Sequence, residues 1–309
     1  MTRSNATICT VAGILALSNF AGAQRLATED PAAHRLQFIA VEPNVKLEVI
    51  DWGGSGRPIL LLTGMGLTAH EYDEFAPKLA AQFRVYGLTR RGYGASSKPA
   101  SGYSIPRLGT DILAVMDALN LDAAVLVGHS IAGQELSWLG ATHPDRFSGL
   151  VYLDAAFDFT TRQTDEYNQL LEAVDPKPPG TRFDWHVQPE SFDGLSPNLQ
   201  ILYGALKPTY EKIEVPALSL VAVPKDSAAW FETWQTTKYD ERDVPTRAMV
   251  DRMFVLSRES GYAQRQAFAT APQSKILEFV GARHDIYRSN ESDVLRAIAA
   301  FASGLGGSR

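Results

Sequence analysis

The chain of 309 residues has almost no cysteine, since its single one, Cys9, lies near the N-terminus. Arg3 precedes an apolar run from Ile8 to Phe20, and the small residues Ala21, Gly22 and Ala23 follow that run. This is the pattern of a cleavable signal peptide in a secreted or periplasmic protein. We expect cleavage after Ala23, which makes 1–23 the signal peptide and leaves a mature chain without thiols. Disulfides and a cysteine nucleophile are thereby excluded.

Long apolar runs and an excess of positive charge are also missing. The run from Ile8 to Phe20 is shorter than the roughly 18 to 20 residues that cross a bilayer. A formal net charge of -6 at pH 7 provides no broad cationic surface for nucleic acid or anionic lipid. We therefore expect no nucleic-acid partner and no stable membrane anchor. The sequence does not specify an oligomeric state.

After a polar leader, short apolar strands alternate with helix-like stretches along most of the chain. This alternation predicts an α/β fold with a mostly parallel central sheet and helices on both faces. The glycine-rich stretch 53–56 joins the first two predicted strands and is interpreted as a hairpin turn. We expect a single domain over 24–309, with a mostly helical insertion at about 157–214. The predicted strands lie within 46–64, 83–89, 123–128, 147–155, 214–223 and 274–281.

The stretch VLVGHSIAG places Ser130 where a strand of small and β-branched residues meets a helix. A chain that turns directly from strand to helix holds the turning residue in a sparsely populated backbone conformation, at a cost of about 1–3 kcal/mol. Gly128 and Ala132 are small enough for the neighbouring backbone to pass closely. The hydroxyl would then lie at the carboxyl edge of the sheet and at a helix N-terminus, where ligands bind and developing negative charge is stabilised. Ser130 is therefore a candidate nucleophile.

A serine nucleophile needs a general base, usually a histidine that a carboxylate holds in place. His129 adjoins Ser130, so its side chain should point away from the serine. His284 directly follows the last predicted strand and therefore reaches the same carboxyl edge of the sheet. Its position predicts that His284 is the base.

These features resemble the α/β-hydrolase family over residues 36–305, about the whole mature chain. The resemblance implies that Ser130 is the nucleophile, that His284 is the base, and that the backbone N–H groups of Met65 and Ile131 form the oxyanion hole. It implies no metal and no organic cofactor. The motifs that carry it are GHSIAG at 128–133, TGMG at 63–66, TRRGYGAS at 89–96 and the chain order Ser, Asp, His.

The sequence departs from the family pattern near the serine and in the loop that follows the first buried strand. Ala132 stands where the G-x-S-x-G form has its last glycine, and Thr63 stands where many members have histidine. If that histidine orients the loop through a hydrogen bond, the bond is here either made by another residue or absent. The resemblance assigns Arg90 and Arg91 a structural role in their loop, in preference to binding an anionic substrate.

The third member of the expected catalytic group is an acid, for which two positions compete. The family usually places it just past the strand that here reads PALSLVAV, which favours Asp226. The loop AVPKD lacks the usual glycine and is about one residue longer than the family pattern. Asp154, at the end of LVYLD, is the alternative position that some members use.

The expected function is hydrolysis of a carboxylic ester of a small, fairly apolar molecule through an acyl-enzyme on Ser130. Lactone, thioester or C–C bond hydrolysis and cofactor-free perhydrolysis are alternatives on the same residues. A serine nucleophile disfavours the family members that use aspartate, such as haloalkane dehalogenases. An alternative of another class is a non-catalytic protein that binds a small molecule in the same pocket.

Overall fold

The computed structural model describes residues 34–161, 163–176, 189–232 and 244–306. The predicted signal peptide, 1–23, lies outside these residues. The chain divides into two compact units. Of the described residues, the larger unit contains 34–161, 189–223 and 262–306, and the smaller unit contains 163–176, 224–232 and 244–261.

The larger unit contains one sheet of eight strands. They are Arg35–Glu42 (β1), Val45–Gly53 (β2), Pro58–Leu62 (β3), Arg84–Leu88 (β4), Ala124–His129 (β5), Phe147–Leu153 (β6), Ala217–Val223 (β7) and Ser274–Val280 (β8). The order across the sheet is β1-β2-β4-β3-β5-β6-β7-β8. The pairs β1–β2 and β2–β4 are antiparallel, and the other neighbouring pairs are parallel. The predicted mostly parallel sheet is thus confirmed.

Helices connect the parallel strands, as right-handed crossovers require. None of the described helices is long and apolar enough to span a membrane. The helices are Ala76–Ala80 (α1), Ile105–Ala118 (α2), Ala132–Thr142 (α3), Asp165–Val174 (α4), Pro197–Tyr203 (α5), Ser227–Glu232 (α6), Val244–Phe268 (α7), Ile286–Ser289 (α8) and Glu291–Gly304 (α9).

The core lies on both faces of the sheet, and the central strand β5 shows why. Ala124 and Leu126 pack in a cluster with α2 and α3, while Val125 and Val127 pack in a second cluster with α1 and α9. Alternate residues of a strand point to opposite faces. A strand covered on both faces therefore reads as a continuous apolar run, which is the pattern that identified β5 in the sequence.

Two local expectations are wrong. The leader contains β1, whose Leu36 and Phe38 are 45% and 53% exposed. An edge strand with a solvated face lacks the continuous apolar run of a buried strand, so its sequence looked like a polar leader. The glycine-rich turn 53–56 is not a hairpin, because β4 lies between β2 and β3 in the sheet. Gly54 lies close to Phe83, the residue before β4. A β-carbon on Gly54 would lie 1.9 Å from the Phe83 carbonyl oxygen.

The smaller unit has its own apolar cluster. Trp230 and Phe231 of α6 pack with residues of α4 and α7. Arg252 of α7 donates two hydrogen bonds, of 2.6 and 2.8 Å, to the carboxylate of Glu166 in α4. The two aromatic side chains of α6 are therefore core residues of this unit.

Candidate active site

The candidate nucleophile Ser130 lies in a sharp turn between β5 and α3. Its φ is 56°, in the left-handed region that non-glycine residues rarely adopt. Its backbone N–H donates to the Leu153 carbonyl of the neighbouring strand β6, at 3.3 Å. The strained strand–turn–helix geometry predicted from the sequence is confirmed, at a cost of about 1–3 kcal/mol that the surrounding structure must offset.

Close packing around this turn explains its small residues. A β-carbon on Gly128 would lie 2.7 Å from Leu136 Cδ1, and one on Gly133 would lie 1.8 Å from the Ala155 carbonyl oxygen. Ala132, which stands in the place of the family's last glycine, is fully buried and its methyl group belongs to the α2–α3 cluster. The turn therefore accommodates a methyl group at 132. Position 133 requires glycine because a β-carbon there would clash with backbone, whereas a β-carbon at 128 would require the Leu136 side chain to shift.

His284 and Asp154 are directly hydrogen-bonded. His284 Nδ1 lies 2.7 Å from Asp154 Oδ2, and Asp154 Oδ1 accepts the backbone N–H of Ala222 at 3.0 Å. A carboxylate held in this way fixes the imidazole with its proton on Nδ1 and stabilises the cation that forms when Nε2 is protonated. His284 Nε2 is buried and has no hydrogen-bond partner among the described residues. It is the nitrogen of this pair that can receive a proton.

The preference for Asp226 as the acid is corrected by this geometry. Asp226 is exposed, belongs to the smaller unit, and its Oδ1 accepts the N–H of Ala229 at 2.9 Å. Its carboxylate thus caps the first turn of α6. The partner of His284 is Asp154, which follows β6 with a φ of 44°. Asp226 was favoured because it follows β7, but the sequence alone does not show which strand end faces the loop after β8.

His129 connects the serine turn to the loop of His284. Its Nε2 lies 3.0 Å from the His284 carbonyl oxygen, and the two rings are 4.7 Å apart at 45°. A β-carbon on Gly64 would lie 2.8 Å from His129 Nδ1, so the loop after β3 also packs against this ring. Burial, followed by the nearby His284, holds the pKa of His129 well below its ordinary 6.5. The sequence predicted that His129 points away from Ser130 but gave no signal for this contact, which spans 155 positions.

Met65 and Ile131, the expected oxyanion-hole residues, follow two neighbouring parallel strands. Met65 comes after β3 and Ile131 after β5, so both lie at the same edge of the sheet. Ile131 is the N-cap residue of α3, so its N–H has no acceptor within the helix. In the loop of Met65, the Thr63 hydroxyl donates to the Leu67 carbonyl at 3.1 Å. Thr63 thus closes the loop that histidine orients in many members.

Arg90 connects the loop after β3 to the helix that begins beside Ser130. Its Nη2 donates to the Thr63 carbonyl at 3.1 Å, and its Nε donates to Glu135 Oε1 of α3 at 2.6 Å. The side chains of Arg90 and Glu135 are only 7% and 2% exposed. Arg91 pairs with Asp111 of α2 at 2.6 and 2.7 Å. The structural role expected of both arginines is confirmed.

Comparison with known proteins agrees with this architecture. A family model described as alpha/beta hydrolase fold matches residues 57–185. A protein named 3-oxoadipate enol-lactonase 2, from Acinetobacter baylyi, is 30% identical over 114 residues, which are 37% of this chain and 43% of that protein. Esterase YbfF of Escherichia coli (strain K12) is 24% identical over 270 residues, covering 84% of this chain and 98% of that protein. The chain spans about two fifths of the length of the first curated relatives that it matches.

Solved structures show the same fold over nearly the whole chain. A bromoperoxidase from Bacillus anthracis superposes with a TM-score of 0.57 and 20% sequence identity, covering 87% of this chain and all of that one. Three observations indicate the same fold: the likeness to this bromoperoxidase, the match to the family model, and the eight-stranded sheet with a serine turn after β5. The chain has the α/β-hydrolase fold.

Proposed function

We propose that this protein is a serine hydrolase that cleaves carboxylic esters of small, fairly apolar molecules through an acyl-enzyme. The observation that carries the proposal is the hydrogen bond between His284 and Asp154, at the sheet edge where Ser130 occupies its strained turn. An imidazole oriented by a carboxylate can act as the general base for serine. His284 Nε2 has no hydrogen-bond partner among the described residues, Ser130 included, so the proposal requires that Ser130 Oγ and Nε2 come into hydrogen-bond contact when substrate binds.

In the first half of the proposed reaction, Ser130 Oγ attacks the ester carbonyl carbon and its proton passes to His284 Nε2. The carbonyl oxygen gains negative charge, which the N–H groups of Met65 and Ile131 stabilise together with the N-terminus of α3. The C–O bond to the alcohol then breaks, and the proton on Nε2 passes to the departing alkoxide. Asp154 stabilises the imidazolium throughout.

In the second half, water attacks the acyl carbon and gives one proton to His284 Nε2. The bond between that carbon and Ser130 Oγ breaks, and the proton returns to the serine oxygen. The products are the free carboxylic acid and the original enzyme. Each proton that leaves a nucleophile is thus carried by one nitrogen, whose orientation depends on Asp154.

The names of the relatives support carbonyl chemistry of this kind. The names of Esterase YbfF and the enol-lactonase both refer to carboxylic ester bonds, open in one case and cyclic in the other. Other relatives are named as a fluoroacetate dehalogenase and as chloroperoxidases. The serine at position 130 disfavours a dehalogenase reaction, for which the nucleophile would be an aspartate, whereas perhydrolysis would use the same residues as ester cleavage.

Labelling with a fluorescent organophosphonate tests the nucleophile directly. We expect the wild type to be labelled covalently and Ser130→Ala to show no labelling. Ser101→Ala, which changes an exposed serine of the same unit, is the matched control and should be labelled as the wild type is. Labelling that persists in Ser130→Ala would refute the assignment of the nucleophile, and an unlabelled wild type would favour a non-catalytic binding protein.

A panel of p-nitrophenyl esters with acyl chains of graded length, extended by simple lactones, tests the substrate class. We expect the highest kcat/KM among the shorter acyl chains and no turnover by Ser130→Ala. Faster turnover of the lactones than of every open ester would replace the proposed substrate class with cyclic esters.

A further inference from the structure

We propose that His34, His70 and Asp73 form a binding site for one divalent transition-metal ion, most favourably Zn²⁺. None of these residues takes part in the proposed ester hydrolysis. Each offers one ligand atom, and the three atoms all lie within 4.8 Å of one another. His34 directly precedes β1, His70 lies in the 3-10 turn Ala69–Tyr72, and Asp73 ends that turn.

The Asp73 carboxylate lies between the two imidazoles. Its Oδ1 is 3.4 Å from His34 Nδ1, and its Oδ2 is 2.9 Å from His70 Nδ1. Two atoms bound to one tetrahedral zinc ion at about 2.0–2.1 Å are about 3.3 Å apart. The two separations lie on either side of that value, and all three ligand atoms lie within 4.8 Å of one another, so the side chains must draw together by at most about 1.5 Å to share one ion.

Further side chains orient these ligands. Glu48 Oε1 lies 3.8 Å from His70 Nε2, and the Thr89 hydroxyl donates to the other oxygen of Glu48 at 2.6 Å. The Trp52 indole N–H donates to Asp73 Oδ1 at 3.2 Å. A metal-bound histidine usually donates its second ring N–H to a carboxylate, and a bound carboxylate is itself hydrogen-bonded. Trp52 already makes the second of these contacts, and Glu48, 3.8 Å from His70 Nε2, would make the first once it approaches the ring more closely.

The charge and chemistry of the cluster favour a transition metal. Asp73 and Glu48 bring two carboxylates together where the side chains of His34 and Glu48 are only 2% and 5% exposed. The side chains of His70 and Asp73 are 34% and 25% exposed, so an ion can reach the cluster from solvent, and a divalent cation bound there would balance the charge of both carboxylates. Two imidazoles with a carboxylate suit zinc and its neighbours, whereas calcium and magnesium prefer oxygen ligands throughout.

A bound ion would also stabilise the contacts of the 3-10 turn with α8. Glu71 of the turn accepts a hydrogen bond from the Tyr287 hydroxyl at 2.7 Å and pairs with Arg288 at 2.9 Å. The ligands come from two segments of the native fold, so the ion binds the folded chain in preference to the unfolded one. The melting temperature should therefore rise with the concentration of free metal.

The test is calorimetric titration of the chelator-treated, tag-free full chain with zinc chloride. We expect saturable uptake of one ion per chain, and we expect Co²⁺ in the same site to give visible absorption bands of nitrogen and oxygen coordination. Asp73→Asn, which keeps the size of the side chain and an acceptor for Trp52, should weaken zinc binding by at least about tenfold. His143→Gln, at the end of α3, is the control and should bind as the wild type does.

Circular dichroism of each variant shows whether it is folded, and Glu48→Gln provides a second variant that leaves the three ligands intact. This change should weaken zinc binding by about tenfold, because it removes the carboxylate behind His70. No saturable uptake by the wild type would overturn the proposal and leave the cluster as an ion pair between histidines and carboxylates. Equal affinity of the wild type and folded Asp73→Asn would overturn it as well, since binding would then occur elsewhere.

Discussion

The imidazole of His129 is hydrogen-bonded to the main chain of His284, with 3.0 Å between Nε2 and the carbonyl oxygen. Because a carbonyl oxygen only accepts hydrogen bonds, His129 carries its proton on Nε2. The residue that precedes the proposed nucleophile therefore fixes the backbone of the proposed base. A shift of either loop must break this partly buried hydrogen bond, which couples the positions of Ser130 and His284.

Replacing His129 with phenylalanine should reduce ester hydrolysis without removing it. His129→Phe keeps an aromatic ring of similar size but loses the hydrogen bond to His284. Since such a bond contributes about 0.5–1.5 kcal/mol, we expect kcat/KM to fall by up to about tenfold. Steady-state kinetics and the rate of phosphonate labelling measure the effect. His143→Phe should leave both unchanged, and an unchanged rate in His129→Phe would contradict the positioning role.

The choice of acid is tested by two matched substitutions. Asp154→Asn keeps the shape of the side chain and tolerates the φ of 44° at this position. It cannot hold the Nδ1–H form of His284 through a charged acceptor, so we expect kcat to fall by about a thousandfold or more. Asp226→Asn should retain nearly all activity. A severe loss of kcat in Asp226→Asn with a mild loss in Asp154→Asn would show that the acid is Asp226, in the loop after β7.

Removal of one partner from the buried pair of Arg90 and Glu135 should strongly destabilise the protein. Arg90→Gln leaves the Glu135 carboxylate buried without its cation, so the free energy of unfolding should fall by about 3–5 kcal/mol. The control is Arg146→Gln, which breaks a more exposed pair with Asp117 and should cost about 1 kcal/mol or less. Urea denaturation measures both. The double variant Arg90→Gln/Glu135→Gln should regain part of the loss, and failure to do so would show that the charge of Glu135 is not the cause.

The low pKa of His129 predicts a loss of stability in acid. Burial keeps the native imidazole neutral below pH 6.5, whereas the imidazole of the unfolded chain takes up a proton there. The unfolded state then binds more protons, so the free energy of unfolding falls as pH decreases below 6.5. One such group contributes a slope of at most about 1.4 kcal/mol per pH unit.

His129→Phe isolates this effect from all other titrating groups. The difference between wild type and variant in the free energy of unfolding should be constant above pH 7. Below pH 6.5 the free energy of the wild type should fall steadily relative to that of the variant. Urea denaturation at several pH values provides the measurement. Parallel stability curves for the two proteins would show that His129 is protonated to the same extent in its folded and unfolded states.

Much of the fold followed from local patterns. The continuous apolar run before Ser130 predicted a strand buried on both faces, and the small residues around the serine predicted a sharp turn into a helix. Both are present, with φ of 56° at Ser130. The sequence did not predict β1, because an edge strand with Leu36 and Phe38 exposed to solvent lacks the continuous apolar run of a buried strand.

The sequence by itself determined the turn at Ser130, the histidine after the last strand and the mostly parallel sheet, because each depends on residues close together in the chain. Only the tertiary structure decided that Asp154 rather than Asp226 contacts His284, and that His129 binds the His284 carbonyl. These contacts join residues 130 and 155 positions apart. They depend on which strand ends lie side by side in the sheet, and spacing along the chain carries no information on that order.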